Sequence, residues 1–370
     1  MIEHWRLLQH DGAEAARGLA VDEALMSGYG RGSTSMPAPS LRLYTYATHC
    51  ALVGRYQNVE AEVDLAACER TGTQVGRRPT GGGAIIMGES QLGVAFVSRA
   101  PAERPKDLIK TYAKGIVRGL AELGIEATFR GKNDLEVGGR KIAGLGLYLD
   151  EHGALLFHSS ILADLDIEFM LEVLRIPAAK LGDKAIDAVS DRVTTVTRET
   201  GVSYSATELR SVIAVGFEKE FGVSLFSVDL TDTETKRADV LERTRYSDPG
   251  WVFQRSPSPD RQGTAAFKTP EGFVRVHIAL ENGVIKSVLF TGDFNELPEA
   301  LVRAESALRW VRLDPERVSA IVETALGGDE VLQISSEKIV QAVLEAGERA
   351  STRDLAHPDR QGSCYFPEVG

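Results

Sequence analysis

Cysteine is scarce in this chain: Cys50, Cys68 and Cys364 are its three. An odd number at such wide spacing excludes a disulfide framework and a zinc knuckle, so all three are read as reduced thiols. No run of about 18 apolar residues occurs, which excludes a membrane-spanning helix. The first residues, Met1-Ile2-Glu3-His4-Trp5-Arg6, lack the apolar stretch of a signal peptide, and the expected location is the cytoplasm. Positive charge is also in deficit. A net charge of −11 argues against a nucleic-acid binder, which carries a basic stripe. Internal repeats and low-complexity tracts are missing as well. What is present is ample material for more than one core: 370 residues, of which 43% are hydrophobic, exceed what a single domain usually organises.

Apolar spacing predicts a helix over residues 13–28, carrying Leu19, Asp22, Glu23, Leu25 and Met26 and ended by Gly28-Tyr29-Gly30. Short β-rich runs follow at 41–45 and 51–54. Residues 106–123 form an amphipathic pattern, with Leu108, Ile109, Tyr112, Ile116, Leu120 and Leu123 on one face and Gly124 at its end. Gly138-Gly139 reads as a tight hairpin turn, 154–162 as an apolar strand, and 167–175 and 206–221 as helices. The polar stretch Thr231-Asp232-Thr233-Glu234-Thr235-Lys236-Arg237 reads as a domain boundary. Beyond it, Asn282-Gly283 marks a hairpin and 298–310, 316–326 and 336–347 read as helices, with Asp314-Pro315-Glu316 as an N-terminal signal. The expected organisation is therefore α+β: a mixed-sheet domain over 1–235, a small α+β domain over 236–348, and a loose tail over 349–370.

Five segments can carry chemistry. In Arg77-Arg78-Pro79-Thr80-Gly81-Gly82-Gly83-Ala84, three glycines let backbone N–H groups approach an anion, and the arginines offer bidentate donors. The same residues also suit a glycine turn with solvated arginines. Lys132-Asn133-Asp134-Leu135 followed by Gly139-Arg140-Lys141-Ile142-Ala143-Gly144 puts a mobile cation beside small residues. There Lys141 can stabilise charge on a phosphate or acyl oxygen, and Asn133 and Asp134 can serve Mg2+. A plain hairpin with a solvated lysine explains that segment equally. Phe157-His158-Ser159-Ser160 places a histidine in an apolar strand, where core packing is the commoner role. Gly54-Arg55-Tyr56-Gln57-Asn58 and Lys184-Ala185-Ile186 to Val196 suit either a binding loop or an ordinary one.

Taken in order, these segments resemble the lipoate–protein ligase A family of the lipoate/biotin ligase superfamily, closely over residues 15–200. Trp251-Val252-Phe253 and the run from Ile285 to Phe294 are similar to that family's accessory domain. The resemblance implies a biotin/lipoate-ligase-like catalytic domain with a small accessory domain that can swing relative to it; the polar stretch 230–245 suits either a hinge or a passive linker. It implies ATP and Mg2+ as cofactors, lipoate as substrate, and a lipoyl domain or glycine-cleavage H-like protein as acceptor; the chain is expected to act as a monomer. Lys141 is then the catalytic lysine, meeting the acyl carbonyl and α-phosphate. Arg78, Gly81, Gly82, Gly83 and Ala84 lie along the adenylate, joined by Asn133, Asp134, His158, Lys184 and Ile186, with Asp134 at the metal. The acyl chain lies near Tyr44, Val53 and Gly54.

On that reading the enzyme is an ATP-dependent ligase that forms lipoyl-AMP and pyrophosphate, then transfers the acyl group to a lysine and releases AMP. Two departures stand out: Met87-Gly88-Glu89 replaces the family's His-Asp pair, and Gln91-Leu92-Gly93-Val94 lacks an asparagine common there. The alternatives are an octanoyl or lipoyl transferase of the same fold, or a non-catalytic lipoate-binding protein. The related transferase uses a cysteine nucleophile just before the segment matching Lys132–Val137, but Glu126-Ala127-Thr128-Phe129-Arg130 contains none.

Overall fold

The computed structural model describes residues 2–30, 37–130, 133–175, 189–255, 257, 263–270, 272–327, 333 and 335–356. The chain forms two compact units. The first comprises residues 1–53, 62–80 and 84–252, and the second 54–61, 81–83 and 253 onward.

The first unit is built on an eight-stranded mixed sheet. Its strands are β1 (Glu3–Ala13), β2 (Ser40–Tyr46), β6 (Gln91–Arg99), β7 (Thr128–Arg130), β8 (Asp134–Val137), β9 (Arg140–Leu149), β10 (Ala154–Leu162) and β11 (Val223–Ser227). They are ordered β11-β1-β2-β6-β10-β9-β8-β7, with β1 parallel to β11 and β2 and the other pairs antiparallel. A small sheet of β3 (Cys50–Val53), β4 (Gln74–Arg77) and β5 (Ile85–Met87) has order β4-β3-β5.

Strand alternation divides the large sheet into two buried faces. Leu41, Leu43, Val94, Phe96, Leu155 and Phe157 face the helices Pro105–Ala121 and Ala206–Phe221. Leu8, Tyr44, Ala95, Val97 and Leu156 face the opposite way, toward the helix Ala15–Met26. The two helices on the first face meet through glycines. A Cβ on Gly216 would lie 2.3 Å from the Gly119 nitrogen and 2.4 Å from the Gly115 carbonyl oxygen.

Buried on the second face, Arg42 donates to Asp22 (2.5 Å) and to the Gly18 carbonyl (2.8 Å), while its guanidinium lies 3.9 Å from the Tyr44 ring. A buried ion pair persists only when its hydrogen bonds are satisfied, and Tyr44 Oη donates the further bond to Asp22 at 3.2 Å.

The polar stretch expected to mark a domain boundary at 235 is instead part of a helix, Asp232–Leu241, continued by a π-helical turn, Glu242–Tyr246. Thr231 and Glu234 form a reciprocal capping box at its start. Glu234 also receives a bidentate pair from Arg6 at 2.6 and 2.8 Å, and Asp239 pairs with Arg17 at 2.6 Å. Ion pairs to distant residues thus make a helix of the first unit from a composition that resembles a linker.

The second unit contains the antiparallel sheet β12 (Gly263–Thr269), β13 (Gly272–Glu281) and β14 (Val284–Gly292), with helices Glu299–Leu308, Pro315–Leu326 and Ser336–Ala356. Asn282 and Gly283 have φ of 52° and 73°, the type I′ geometry expected for this dipeptide. Val276, Ile278, Phe290, Leu301, Val322 and Val343 fill its core. The last helix runs to Ala356, so the expected loose tail is helical for its first residues.

Candidate active site

The middle of the large sheet carries a strip of small residues on the face shared with Tyr44. Register places Tyr44 opposite Gly93, Gly93 opposite Ser160, and Ser160 opposite Gly144. One row along, Ala95 and Gly146 flank His158. Side chains lean over the gaps these small residues leave. A Cβ on Gly93 would meet the Tyr44 ring at 2.6 Å, one on Gly146 would meet His158 Nε2 at 2.3 Å, and one on Gly144 would lie 3.1 Å from Lys141 Nζ.

Lys141 stands at this strip, one residue beyond the start of β9. Gly138 and Gly139, with φ of 56° and 80°, turn β8 back into β9 and bring Asp134 alongside. Lys141 Nζ lies 2.7 Å from the Asp134 carboxylate, and both side chains are about one-third exposed. The lysine backbone is fixed from the other side. Its N–H donates to the Arg192 carbonyl and its carbonyl accepts from the Thr194 N–H, both at 2.8 Å. The segment near 190–196, open in the sequence between nucleotide loop and ordinary loop, therefore clamps the lysine. Asn133 braces the same hairpin, its carbonyl accepting from Leu145 N–H at 2.8 Å.

His158 lies at the floor of the strip, 2.7 Å from Thr80 Oγ1. Burial, and then the Arg78 charge, push its pKa down to about 3, so the imidazole is neutral at physiological pH. Arg78 is buried and donates to the Leu52 carbonyl; burial lowers its pKa to about 10, which leaves it a cation. Thr80 was not singled out from the sequence, although its place between Arg78 and Gly81 was a signal. Gly146 was also missed, and its two-residue offset from Gly144 was enough to put both on one strand face.

The structure thus brings Lys141, Asp134, Asn133, His158 and Arg78 into one unit. Tyr44 and Val53 belong to it too, both buried, with Tyr44 committed to Asp22 and Val53 accepting from the Arg78 N–H at 2.9 Å. Ala84 lies just before β5. Gly54, Gly81, Gly82 and Gly83 belong to the second unit. There the Gly82 N–H donates to the Phe294 carbonyl at 3.2 Å, and a Cβ on Gly81 would come within 2.4 Å of the Phe294 and Asn295 carbonyl oxygens. Lys184 and Ile186 lie outside the described residues. At the departure from the family pattern, Met87 is a core residue opposite Cys50, and the His49 ring covers Gly88.

The donors that an ATP phosphate would need are bonded within the protein. Arg77 Nε donates to the carbonyls of Trp251 (3.1 Å) and Val252 (2.8 Å), Arg78 to Leu52, and Gly82 to Phe294. The Asp134 carboxylate, expected at a metal, is held by Lys141. Among the described residues no group of three or more His, Cys, Asp or Glu side chains could hold a metal ion. The described residues also include no helix long and apolar enough to cross a membrane.

Comparison with known proteins agrees with the fold and corrects the chemistry. The octanoyltransferase LipM of Symbiobacterium thermophilum is 30% identical over 280 residues, covering 69% of this chain and all of the relative, and further relatives carry the same name. A bipartite lipoate protein ligase of Thermoplasma acidophilum superposes with a TM-score of 0.61 at 28% identity, over 68% of this chain and 96% of its own. The lipoate complex of P. falciparum LipL1, at 16% identity, shares the fold over 91% of this chain and 99% of its own, with a TM-score of 0.65.

The transferase relatives overturn the expectation of an ATP-dependent, AMP- and pyrophosphate-forming lipoate–protein ligase. The residues that carried the resemblance do not separate a ligase from a transferase. What they do identify is the common scaffold. Residues 14–218 match the lipoyl protein ligase A/B catalytic domain, and the chain belongs to that family.

Proposed function

We propose that this chain is a protein acyltransferase that moves an octanoyl or lipoyl group, already activated on a carrier, to a lysine of an acceptor protein of the lipoyl-domain kind. The observation that carries this reading is Lys141: backbone-clamped, paired with Asp134 and set at the edge of a glycine-floored strip. The transferase name of the relatives supports the choice of reaction. With a thioester donor, the acceptor amine attacks the acyl carbonyl and the Lys141 ammonium faces the oxyanion that develops. The C–S bond then breaks, the departing sulfur takes the proton lost by nitrogen, and an amide and a thiol result. Asp134 restricts the lysine to this position, so little reorganisation is needed when charge appears.

Cys50 and Cys68 do not suit a route through an enzyme thioester. Cys50 is fully buried and burial drives its pKa well up, while burial raises Cys68 to about 11. Neither is a thiolate near neutral pH.

The test is ATP-free incubation with octanoyl- and lipoyl-thioester carriers and a lipoyl-domain acceptor, read by mass shift. Acylation of the acceptor is expected, and Lys141→Ala should lower its rate by roughly 10²- to 10³-fold, the scale of losing one oxyanion donor. A strict requirement for ATP, or an undiminished rate in Lys141→Ala, would sink the proposal.

A further inference from the structure

We infer that Trp251 is a positioning residue for the Arg78–Thr80 segment, acting through Arg77; this rests on reading the Lys141–His158 strip as the acyl-transfer site. Trp251 lies 174 residues from Arg77 in sequence, yet grips it at two points. The indole Nε1–H donates to the Arg77 carbonyl at 3.0 Å, and Arg77 Nε returns a bond to the Trp251 carbonyl at 3.1 Å and to Val252 at 2.8 Å. Arg77 is fully buried. Its guanidinium thus caps the end of the short helix Pro249–Val252, where carbonyls would otherwise lack partners.

Trp251 is itself anchored. The Arg245 guanidinium lies 3.9 Å from its ring centroid, and Tyr246 meets it edge-on at 6.1 Å. Arg245 Nη1 and Tyr246 Oη both donate to Glu23, at 2.7 and 2.6 Å. Adjacent residues of a regular α-helix point about 100° apart; here the π-helical turn at Glu242–Tyr246 accompanies the meeting of both with one carboxylate.

The consequence lies on the other side of Arg77. β4 is already paired with β3, so the strand does not need Trp251 in order to form. Arg77 is its last residue, and the grip acts where the following three residues take their direction. Pro79 fixes its own φ and restricts Arg78 to extended conformations, which makes the link stiff. Thr80 is the far end of that link, and its hydroxyl meets His158 at 2.7 Å. A shift of Arg77 reaches Thr80 and its contact with His158 through Arg78, whose own bonds to Val53 and Leu52 limit its size.

The test replaces Trp251 in the full chain with 3-benzothienylalanine, which keeps the bicyclic shape but has sulfur where the indole has N–H; Trp251→Phe is the genetically simpler companion. Amide exchange at Arg77, Arg78 and Thr80 and the ¹⁵N shift of His158 report the geometry, and ATP-free acyl transfer reports kcat and KM. The expected result is faster exchange confined to those three amides, a changed His158 shift, and kcat lower by roughly 10- to 100-fold with KM for the acyl donor within about 2-fold. Unchanged exchange and kcat in the benzothienyl variant would overturn the inference, as would a uniform rise in exchange reporting global loosening. If the wild-type chain transfers no acyl group, the functional reading fails, while exchange and the His158 shift still decide the role of Trp251.

Discussion

His158 makes the fold sensitive to acid in a calculable way. In the unfolded chain its imidazole takes a proton near its ordinary pKa of 6.5, whereas in the folded chain burial and Arg78 delay protonation to about pH 3. Between those values the unfolded state binds the extra proton, so folding stability falls as pH is lowered through 6.5 and is unaffected by this group above it. From pH 8 to pH 5 the loss attributable to His158 is about 2 kcal/mol. His158→Gln keeps a polar side chain beside Thr80 but does not titrate. Urea midpoints for the two proteins at pH 8, 6.5 and 5 should therefore diverge, with the wild-type chain losing about 2 kcal/mol more than the variant. His10, whose pKa burial and then Arg42 lower to about 4, is common to both and cancels in the difference. Parallel pH dependences would mean that His158 is not held neutral by burial, and the electrostatic account of the site would fail with it.

Two further outcomes follow from packing and from thiol chemistry. Gly216→Ala gains roughly 1 kcal/mol of intrinsic helix preference, but its Cβ would lie 2.3 Å from Gly119 N. Net destabilisation of about 1–3 kcal/mol is expected as the two helices are forced apart; a raised Tm on thermal denaturation would refute it. Replacing Cys50, Cys68 and Cys364 together by serine should leave ATP-free acyl transfer running and no acyl-enzyme visible by mass spectrometry. Loss of transfer in a variant that remains folded would assign the reaction to a cysteine.

Local chemistry was legible in the sequence wherever neighbours in the chain decide the outcome. The helix read over 206–221 begins at a Ser205–Glu208 capping box and ends at Gly222 in the left-handed region. The turns at Gly138-Gly139 and Asn282-Gly283 adopt the positive φ that these residues tolerate. The hairpin that carries Lys141 was legible as well, because Gly138-Gly139 sets the turn, whereas its pairing with Asp134 was not. Nothing local in residues 230–245 distinguishes a linker from a polar helix; the helix Asp232–Leu241 pairs with Arg6 and Arg17, more than two hundred residues away.

The roles of the Arg77–Gly83 residues needed the tertiary structure for the same reason. By composition they form an anion cradle, but Arg77 is bonded to Trp251 and Val252, and Gly82 to Phe294. Sequence by itself determined the family and the α+β elements, since those depend on short-range pattern and residue type. Only the tertiary structure decided which donors are bonded within the protein and which small residues line one sheet face. Hydrogen-bond partners and strand register are set by approaches between distant segments, and no local spacing encodes them.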